Sequence, residues 1–381
     1  MNGRVHHVFG WPSDTGACRF YRTQLPLDAL SAAGHTTRIA EGSTVGGRAV
    51  ITLPDEIRDN PEWLVVLQRS HNPAARRTMF DFCARGRPWI FDVDDNLWAV
   101  EHDNPAAAAF NRPDTQDTLT WMVQNASAVT VSTEPLAEVV RAMTEVPVHV
   151  LHNALPAASI DTSDVTDREP CVFWRGSATH DRDVDIMRYA LKRVERAGVR
   201  IVLAGQDYRK RLGLSEAVML DDVLYADPVW RKLIKANRWD RVIGNGNNYR
   251  RAVHLPTGVY LDAVQQVVKP TVVVAPLRSS LFNDAKSAIA AIEGHSTGAY
   301  VIASAMPAYS DYLDGYGRLV RWNEHDWWRA VSDALDMDAA DRTRWAQIGR
   351  ARLAATSIET LTDAYSDVYG SASTPTDTIA T

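Results

Sequence analysis

The order of its apolar runs constrains this chain most. Short runs of Val, Ile, Leu and aromatic residues recur, each followed by a longer amphipathic stretch. That alternation marks parallel α/β structure, in which strands are buried on both faces and helices carry the chain back. Strands are expected over residues 5–9, 63–67, 89–91, 128–132 and 148–151, and again over 171–174, 200–204, 271–276 and 300–303. Helices are expected over 22–33, 74–85, 136–143, 183–197, 285–296, 324–335 and 341–353. Between the two series lies a polar, acidic stretch ending in proline, ASIDTSDVTDREP, which reads as a linker. A chain of 381 residues has the length of two domains. The expected division is 1–156, a linker at 157–170, a second domain at 171–355, and a C-terminal helix or tail at 356–381. Return of that helix to the first domain is one option. The residues after Tyr369 are small and polar and are expected to fray.

Hydrophobic residues make up 45% of the chain and charged residues 23%, so two cores are within reach. The balance of 41 basic against 47 acidic residues, a net of -6, argues against a chain held on nucleic acid by overall charge. It leaves a local basic patch open. Cys18, Cys83 and Cys171 form no C-x-x-C pair, which argues for a reducing compartment and against a disulfide framework or zinc knuckle. No apolar run approaches the roughly 20 residues that span a bilayer, and the opening MNGRVHHVFGW lacks a signal-peptide core. The expectation is a cytoplasmic protein without a membrane span. Only six of the basic residues are lysines, which fits a GC-rich genome and makes each lysine more informative.

Ligands of open α/β sheets sit beyond the C-terminal ends of the strands, in a cleft where two such domains face each other, so the loops there are the first candidates. The strand at 271–276 leads through Asn283 to a helix expected from about Asp284, with Ala285, Ala288, Ile289 and Ile292 as its apolar stripe. On that helix Lys286 and Glu293 would project from nearly one face, about 10.5 Å apart. A cation in a first helical turn opposes the macrodipole. Lys286 makes sense there if an anion shares the site with it and with the N–H of Ser287; otherwise it is a surface lysine beside a capping Asp284. A second loop, Trp174-Arg-Gly-Ser177, offers close backbone approach at Gly176 and a hydroxyl at Ser177, or is a plain turn. A third holds Asp92, Asp94 and Asp95 at the end of a buried strand; acceptor contact, capping and a metal site are its three readings. A fourth, Gly10 to Gly16, lacks the G-x-G-x-x-G spacing, and the chain has no P-loop, nucleophile elbow or H-E-x-x-H. Residues 206–265 interleave Tyr208, Trp230, Trp239 and Tyr249 with Arg and Lys. They read either as a polyanion surface or as an insertion with docked tryptophans.

Taken in order, these loops resemble the GT-B glycosyltransferases, glycosyltransferase family 4 and its phage and actinobacterial relatives above all. Gly16, Arg19 to Arg22 and Leu30-Ser-Ala-Ala-Gly-His35 are similar to the family's opening loop and helix end. Phe91-Asp-Val-Asp-Asp-Asn-Leu-Trp98 resembles the acidic segment of one branch. Ala126 to Leu136 and Val150 to Leu155 resemble the segments before the interdomain linker. Trp174-Arg-Gly-Ser177, Val202-Leu-Ala-Gly205, Ala275-Pro-Leu277 and Glu293-Gly-His-Ser-Thr-Gly-Ala-Tyr-Val-Ile-Ala-Ser304 follow in the family's order. The resemblance covers most of the chain except 206–265 and the tail.

That resemblance implies two Rossmann-like domains facing across a cleft and transfer of a sugar from a UDP- or GDP-linked donor, without cofactor or obligatory metal and with retention. Glu293 matches the second Glu of the family's E-x7-E motif and would contact the donor ribose. The first Glu falls at Ala285 and is missing, so that Lys286-Ser287 would hold the diphosphate instead. His102 is a candidate for the histidine near the reacting sugar. The expected donor-binding set is Gly16, Gly176, Ser177, Gly205, Gly258, Val259, Asn283, Lys286, Ser287 and Glu293; the expected catalytic set is Lys286, Asp94, Asp95 and His102. The acceptor is open: a DNA base, a protein, a lipid or a small molecule. Rival readings are a nucleotide-sugar epimerase of the same fold and a non-catalytic nucleotide- or sugar-binding protein.

Overall fold

The computed structural model describes residues 6–45, 48–245 and 248–373; for 43–45, 48–50, 242–245 and 248–251 it describes the backbone alone. The chain divides into two compact units. Unit 1 comprises Met1–Ala157, Ser280–Ser287 and Thr356–Thr381, and unit 2 comprises Ala158–Ser279 and Ala288–Ala355.

Unit 1 carries strands β1 (His7–Trp11), β2 (Thr36–Ile39), β3 (Gly42–Val45), β4 (Arg48–Ile51), β5 (Trp63–Gln68), β6 (Trp89–Val93), β7 (Ala128–Val131) and β8 (Val148–Val150). Six of them form one parallel sheet in the order β2-β1-β5-β6-β7-β8, while β3 and β4 pair as an antiparallel hairpin. The central strands are unbroken apolar runs because helices cover both faces. β5 reads WLVVLQ and β6 reads WIFDV, with no residue exposed. The helix Pro73–Ala84 starts on a proline behind Asn72, whose Oδ1 accepts from Ala74 N at 2.8 Å. Phe9, Leu67, Met79, Trp89, Phe91, Leu119 and Met122 form the core, each aromatic or aliphatic side chain contributing about 1.5–3 kcal/mol. Val5, expected to open the first strand, lies outside the described residues.

The sheet also buries an ion pair. Arg22 sits in a π-helical turn, Phe20–Gln24, that continues into the helix Leu25–Ala32. Its guanidinium grips Asp92 with two hydrogen bonds, 2.6 and 3.1 Å, and reaches Leu151 O and Asn153 Oδ1. Burial works against this charge, but Asp92 holds Arg22 well above its ordinary range. The C-terminal helix Ile358–Ala372 covers the pair with Tyr365 and Tyr369. The fraying expected directly after Tyr369 is not found there, since the helix holds to Ala372; residues 374–381 lie outside the described residues.

Unit 2 carries β9 (Cys171–Gly176), β10 (Arg200–Gly205), β11 (Val218–Met219), β12 (Asp240–Asn245), β13 (Asn248–Val253), β14 (Val272–Ala275), β15 (Tyr300–Ser304) and β16 (Arg318–Val320). The parallel sheet runs β11-β10-β9-β14-β15-β16, and β12 pairs antiparallel with β13. Val172, Met187, Leu191, Leu203, Ile302 and Trp327 are central to its core. Residues 158–170 group with this unit: Arg168 donates to Thr297 O and pairs with Asp161 at 2.7 Å.

The expectations for 280–296 need correction. The helix expected over 285–296 begins only at Ile289 and ends at Ser296. Thr133 Oγ1 donates to Ala285 O at 2.7 Å, Asn96 Nδ2 to Leu281 O at 3.0 Å and Asn153 Nδ2 to Ser287 Oγ at 2.7 Å. Ala285 is buried in the core of unit 1. These bonds hold Ser280–Ser287 in turns and group it with unit 1, although the sequence assigns it to the second domain. Lys286 is therefore outside any helix, and the shared helical face with Glu293 does not exist. Residues 206–265 are built into unit 2, as the reading with docked tryptophans expects for Trp230, which is buried. Tyr208 and Leu212 lie in the core, and β11 extends the sheet at its edge.

Candidate active site

In a sheet of this kind the crevice opens where the strand order reverses, between loops that leave the sheet in opposite directions. In unit 2 that point lies between β9 and β14. β9 ends in Arg175 and Gly176, and Arg175 Nε donates to Glu293 Oε2 at 2.8 Å. The Glu293 side chain, on the helix Ile289–Ser296, is 9% exposed. Burial and then the Glu293 charge push the Tyr260 hydroxyl well above its ordinary range. The loops interlock: Arg278 N donates to Asp183 Oδ1 at 3.0 Å, and His180 meets Asp183 at 2.9 Å. Tyr208 Oη donates to Ser177 O at 3.2 Å, while Ser177 Oγ lies 2.6 Å from Thr179 Oγ1. Gly205, at φ +88°, sits where a Cβ would collide with Gly176 O, so only glycine allows β9 and β10 to finish this close. Gly176, Ser177, Gly205 and Glu293 thus share one end of the sheet of unit 2. Gly258 and Val259 stand half-buried at the start of the helix Thr257–Ala263.

Unit 1 reverses between β1 and β5, and its chemistry follows β5 and β6. Arg69, just past β5, adopts φ +37°, a left-handed backbone rare for a residue with a long side chain. Its N–H donates to Asp92 O at 2.7 Å. Its guanidinium lies 3.1 Å from Asp94 and 3.3 Å from Asp95, and donates to Cys18 Sγ. Lys286 Nζ reaches the other Asp95 oxygen at 3.3 Å and lies 4.3 Å from the centre of the Phe282 ring. Two carboxylates and two cations therefore balance in one half-buried cluster. Burial raises the Asp94 carboxyl above its usual range, with Arg69 opposing the shift. Burial, and then Asp94, raises the Cys18 thiol, which is therefore a poor nucleophile.

Two cavities adjoin these loops within unit 1. One, of about 750 Å³, is lined by Trp11, Ser13, Leu53, Arg58, Ser70, His71, Asn72, Arg112 and Asp114 among others. Burial, with Arg69 and Arg112 adding, lowers the His71 imidazole below its ordinary value, so at neutral pH it is an uncharged hydrogen-bonding group. The second, of about 550 Å³, is lined by Trp98, Glu101, His102, Asn111, Gln116 and Leu281.

Among the sequence-chosen residues, unit 1 brings together Asp94, Asp95, Asn283, Lys286 and Ser287, with Lys286 N donating to Asn283 O at 3.1 Å. His102 lines the second cavity. Gly16 is exposed, its N–H donating to Asp14 Oδ1. The sequence reading missed Arg69, Arg175, His71 and Tyr260. Arg175 carried a usable signal, a charge closing the otherwise apolar β9 run CVFW. Arg69 carried none, because its role rests on a backbone angle. No group of three or more His, Cys, Asp or Glu is arranged to hold a metal ion among the described residues. No described helix is long and apolar enough to cross a membrane. Of the basic residues in 206–265, Arg231, Lys232, Lys235 and Arg238 are exposed; the side chains of Tyr249, Arg250 and Arg251 lie outside the described residues. Trp230, one of the aromatic residues of that stretch, is buried.

No protein-family model matches the chain, and no curated sequence matches it. Solved structures do. A sucrose-phosphate synthase from Thermosynechococcus elongatus matches with a TM-score of 0.59 at 15% identity, over 97% of this chain and 99% of that one. A UDP-forming alpha,alpha-trehalose-phosphate synthase from Burkholderia vietnamiensis matches at 0.57 and 12%, over 96% and 99%. TarM of S. aureus, solved with fondaparinux, alpha-GlcNAc-glycerol and UDP, matches at 0.54 and 14%, over 82% of this chain. This chain spans only 56% of TarM. The fold is that of these proteins, two Rossmann-like α/β units of the GT-B class.

Proposed function

We propose that this chain is a glycosyltransferase that moves a sugar from a UDP- or GDP-linked donor to an acceptor hydroxyl, with retention of configuration. The observation that carries the reading is the Arg175–Glu293 pair beside the Gly176–Ser177 turn, at the strand-order reversal of unit 2. A guanidinium suits a diphosphate, and a carboxylate beside it suits the two hydroxyls of a ribose. The likeness to enzymes described as UDP-forming supports the same donor class.

Unit 2 would hold the donor: Arg175 and the backbone N–H groups near Ser177 take the diphosphate, and Glu293 accepts from the ribose. As the glycosidic bond breaks, charge builds on the leaving diphosphate, and a fixed cation stabilises that state more than the ground state. Arg175 is such a cation within unit 2, so that no metal ion is called for. Unit 1 would take the acceptor, the Asp94–Asp95 loop facing it and the larger cavity receiving its body. That cavity's mix of Trp11, Asn72, Asp114, Arg112 and hydroxyl side chains suits a polyhydroxylated small molecule better than a DNA base.

The test is a panel of nucleotide sugars scored by thermal shift and by release of nucleoside diphosphate. One donor should raise the melting temperature and be consumed with an acceptor. If no nucleotide sugar stabilises the chain, the reading fails. Conversion of the donor to an epimer without an acceptor would replace it with an isomerase, and binding without turnover on any acceptor would replace it with a binding protein. Activity that a chelator abolishes and a divalent cation restores would overturn the metal-free mechanism.

A further inference from the structure

The helix Pro228–Asn237 of unit 2, sequence PVWRKLIKAN, has two unlike faces. Trp230 and Ile234, one turn apart, are buried and fix which side packs inward. Asp227 caps the helix, its Oδ1 accepting from Val229 N and Trp230 N at 2.9 Å each. The outward stripe is not simply polar. Val229 is 65% exposed and Leu233, one turn on, is 42% exposed. Five large hydrophobic side chains stand exposed among the described residues, and two of them share this stripe.

Cations occupy the rest of the exposed side and the residues that follow the helix. From residue 231 to 241 the chain carries Arg231, Lys232, Lys235, Arg238 and Arg241 against Asp240 alone, in a protein whose net charge is -6. Lys232 and Lys235 are two of only six lysines in the chain. Asp240 is engaged, accepting from Tyr225 Oη at 2.6 Å. All of these cations are exposed.

We infer that this helix is a contact for an anionic lipid surface, lying in the interface with Val229 and Leu233 at the acyl boundary and the cations on the headgroup phosphates. The two properties of the stripe answer to two properties of that occupant. Aliphatic side chains gain by leaving water for the acyl boundary, and long basic side chains snorkel to the phosphates beside them. Each cation near an anionic leaflet strengthens binding about fivefold. Duplex DNA would match the cations but leave Val229 and Leu233 against phosphate, and buried Trp230 cannot stack on a base. The inference stands on unit 2 alone and does not depend on the proposed reaction.

The test is co-sedimentation of the full chain with phosphatidylcholine vesicles, with and without about 30% phosphatidylglycerol. Binding should require the anionic lipid and weaken as salt rises. The double variant Val229→Glu, Leu233→Glu should lose binding, and Lys232→Gln with Lys235→Gln should weaken it on the order of 25-fold. Unchanged melting temperatures would show that these exposed substitutions leave the fold intact. Equal binding to neutral vesicles, no binding to anionic ones, or variants that bind like the parent would each overturn the inference. So would salt-sensitive binding to duplex DNA with vesicles ignored.

Discussion

Lys286 and Asp95 show how much rests on single side chains. Lys286 is held at 3.3 Å by Asp95, which Arg69 grips from the other side. If Lys286 is catalytic, as the sequence leads one to expect, Lys286→Ala should lower kcat by about 10²- to 10³-fold. Turnover within threefold of the parent would remove it from the chemistry. Asp95→Asn should impair transfer while leaving donor affinity nearly intact, because the loss falls on the acceptor side and on the aim of the lysine. Glu293→Gln is expected to behave differently, raising donor KM more than it lowers kcat, since a ribose contact is made equally in ground and transition states. A loss confined to kcat would move Glu293 towards the reacting bond. The type of each of these residues was legible in the sequence, but their grouping was not. Lys286 and Glu293, seven apart, suggested a shared helical face, whereas the two belong to different units. Arg69 was invisible because nothing in the sequence announces a left-handed arginine.

At the scale of elements, legibility followed local self-sufficiency. The runs at 63–67 and 200–204 and the helix Glu324–Leu335 could be read directly, since apolar runs, caps and periodicity agree there. The start of the helix Ile289–Ser296 could not, because Thr133, Asn96 and Asn153 draw 280–287 away from an apolar pattern that would continue the helix. The helices packed on it are similarly specific. Gly349, inside the helix Ala339–Ala355, would gain about 1 kcal/mol as alanine on propensity alone. A Cβ there would stand 2.7 Å from the His295 ring, which is buried and bonded to Tyr312 and Tyr316. Overpacking costs about 1–3 kcal/mol, so Gly349→Ala should lower the melting temperature. His295 itself adds a pH dependence. Burial lowers its imidazole to about 4, from an unfolded value near 6.5. The unfolded chain therefore binds the extra proton in that window. The stability this group contributes is complete above about pH 6.5 and is lost as pH falls towards 4, on the order of 3 kcal/mol in all. His295→Asn should be less stable at pH 7 yet flatter between pH 6.5 and 4; an unchanged slope there would place the acid sensitivity elsewhere.

For the molecule as a whole, the two units are not two halves of the sequence. The sequence suggests a cut near 157–170, because composition changes there and proline closes the stretch. Yet unit 1 takes Ser280–Ser287 and Thr356–Thr381 from beyond that point. The last segment does more than decorate the sheet. Ile358 N donates to Leu155 O at 3.0 Å, Glu359 accepts from Ala157 N at 3.1 Å, and Ser366 Oγ lies 3.3 Å from His35 Nε2. Tyr365 and Tyr369 are fully buried beside the Arg22–Asp92 pair. A fragment of residues 1–157 would therefore uncover two large aromatic contacts and one side of a buried ion pair at once. Each buried aromatic side chain is worth about 3–5 kcal/mol against its loss. Together these exceed much of the 5–15 kcal/mol by which a domain is stable. The fragment should be insoluble or lack a cooperative melting transition, whereas the full chain with Tyr365→Phe should fold normally. That hydroxyl is buried and has no hydrogen-bond partner among the described residues, so removing it costs nothing and can stabilise by about 1 kcal/mol. A fragment 1–157 that melts cooperatively would show that Thr356–Thr381 is dispensable to unit 1, and that the cut suggested by the linker is the true boundary.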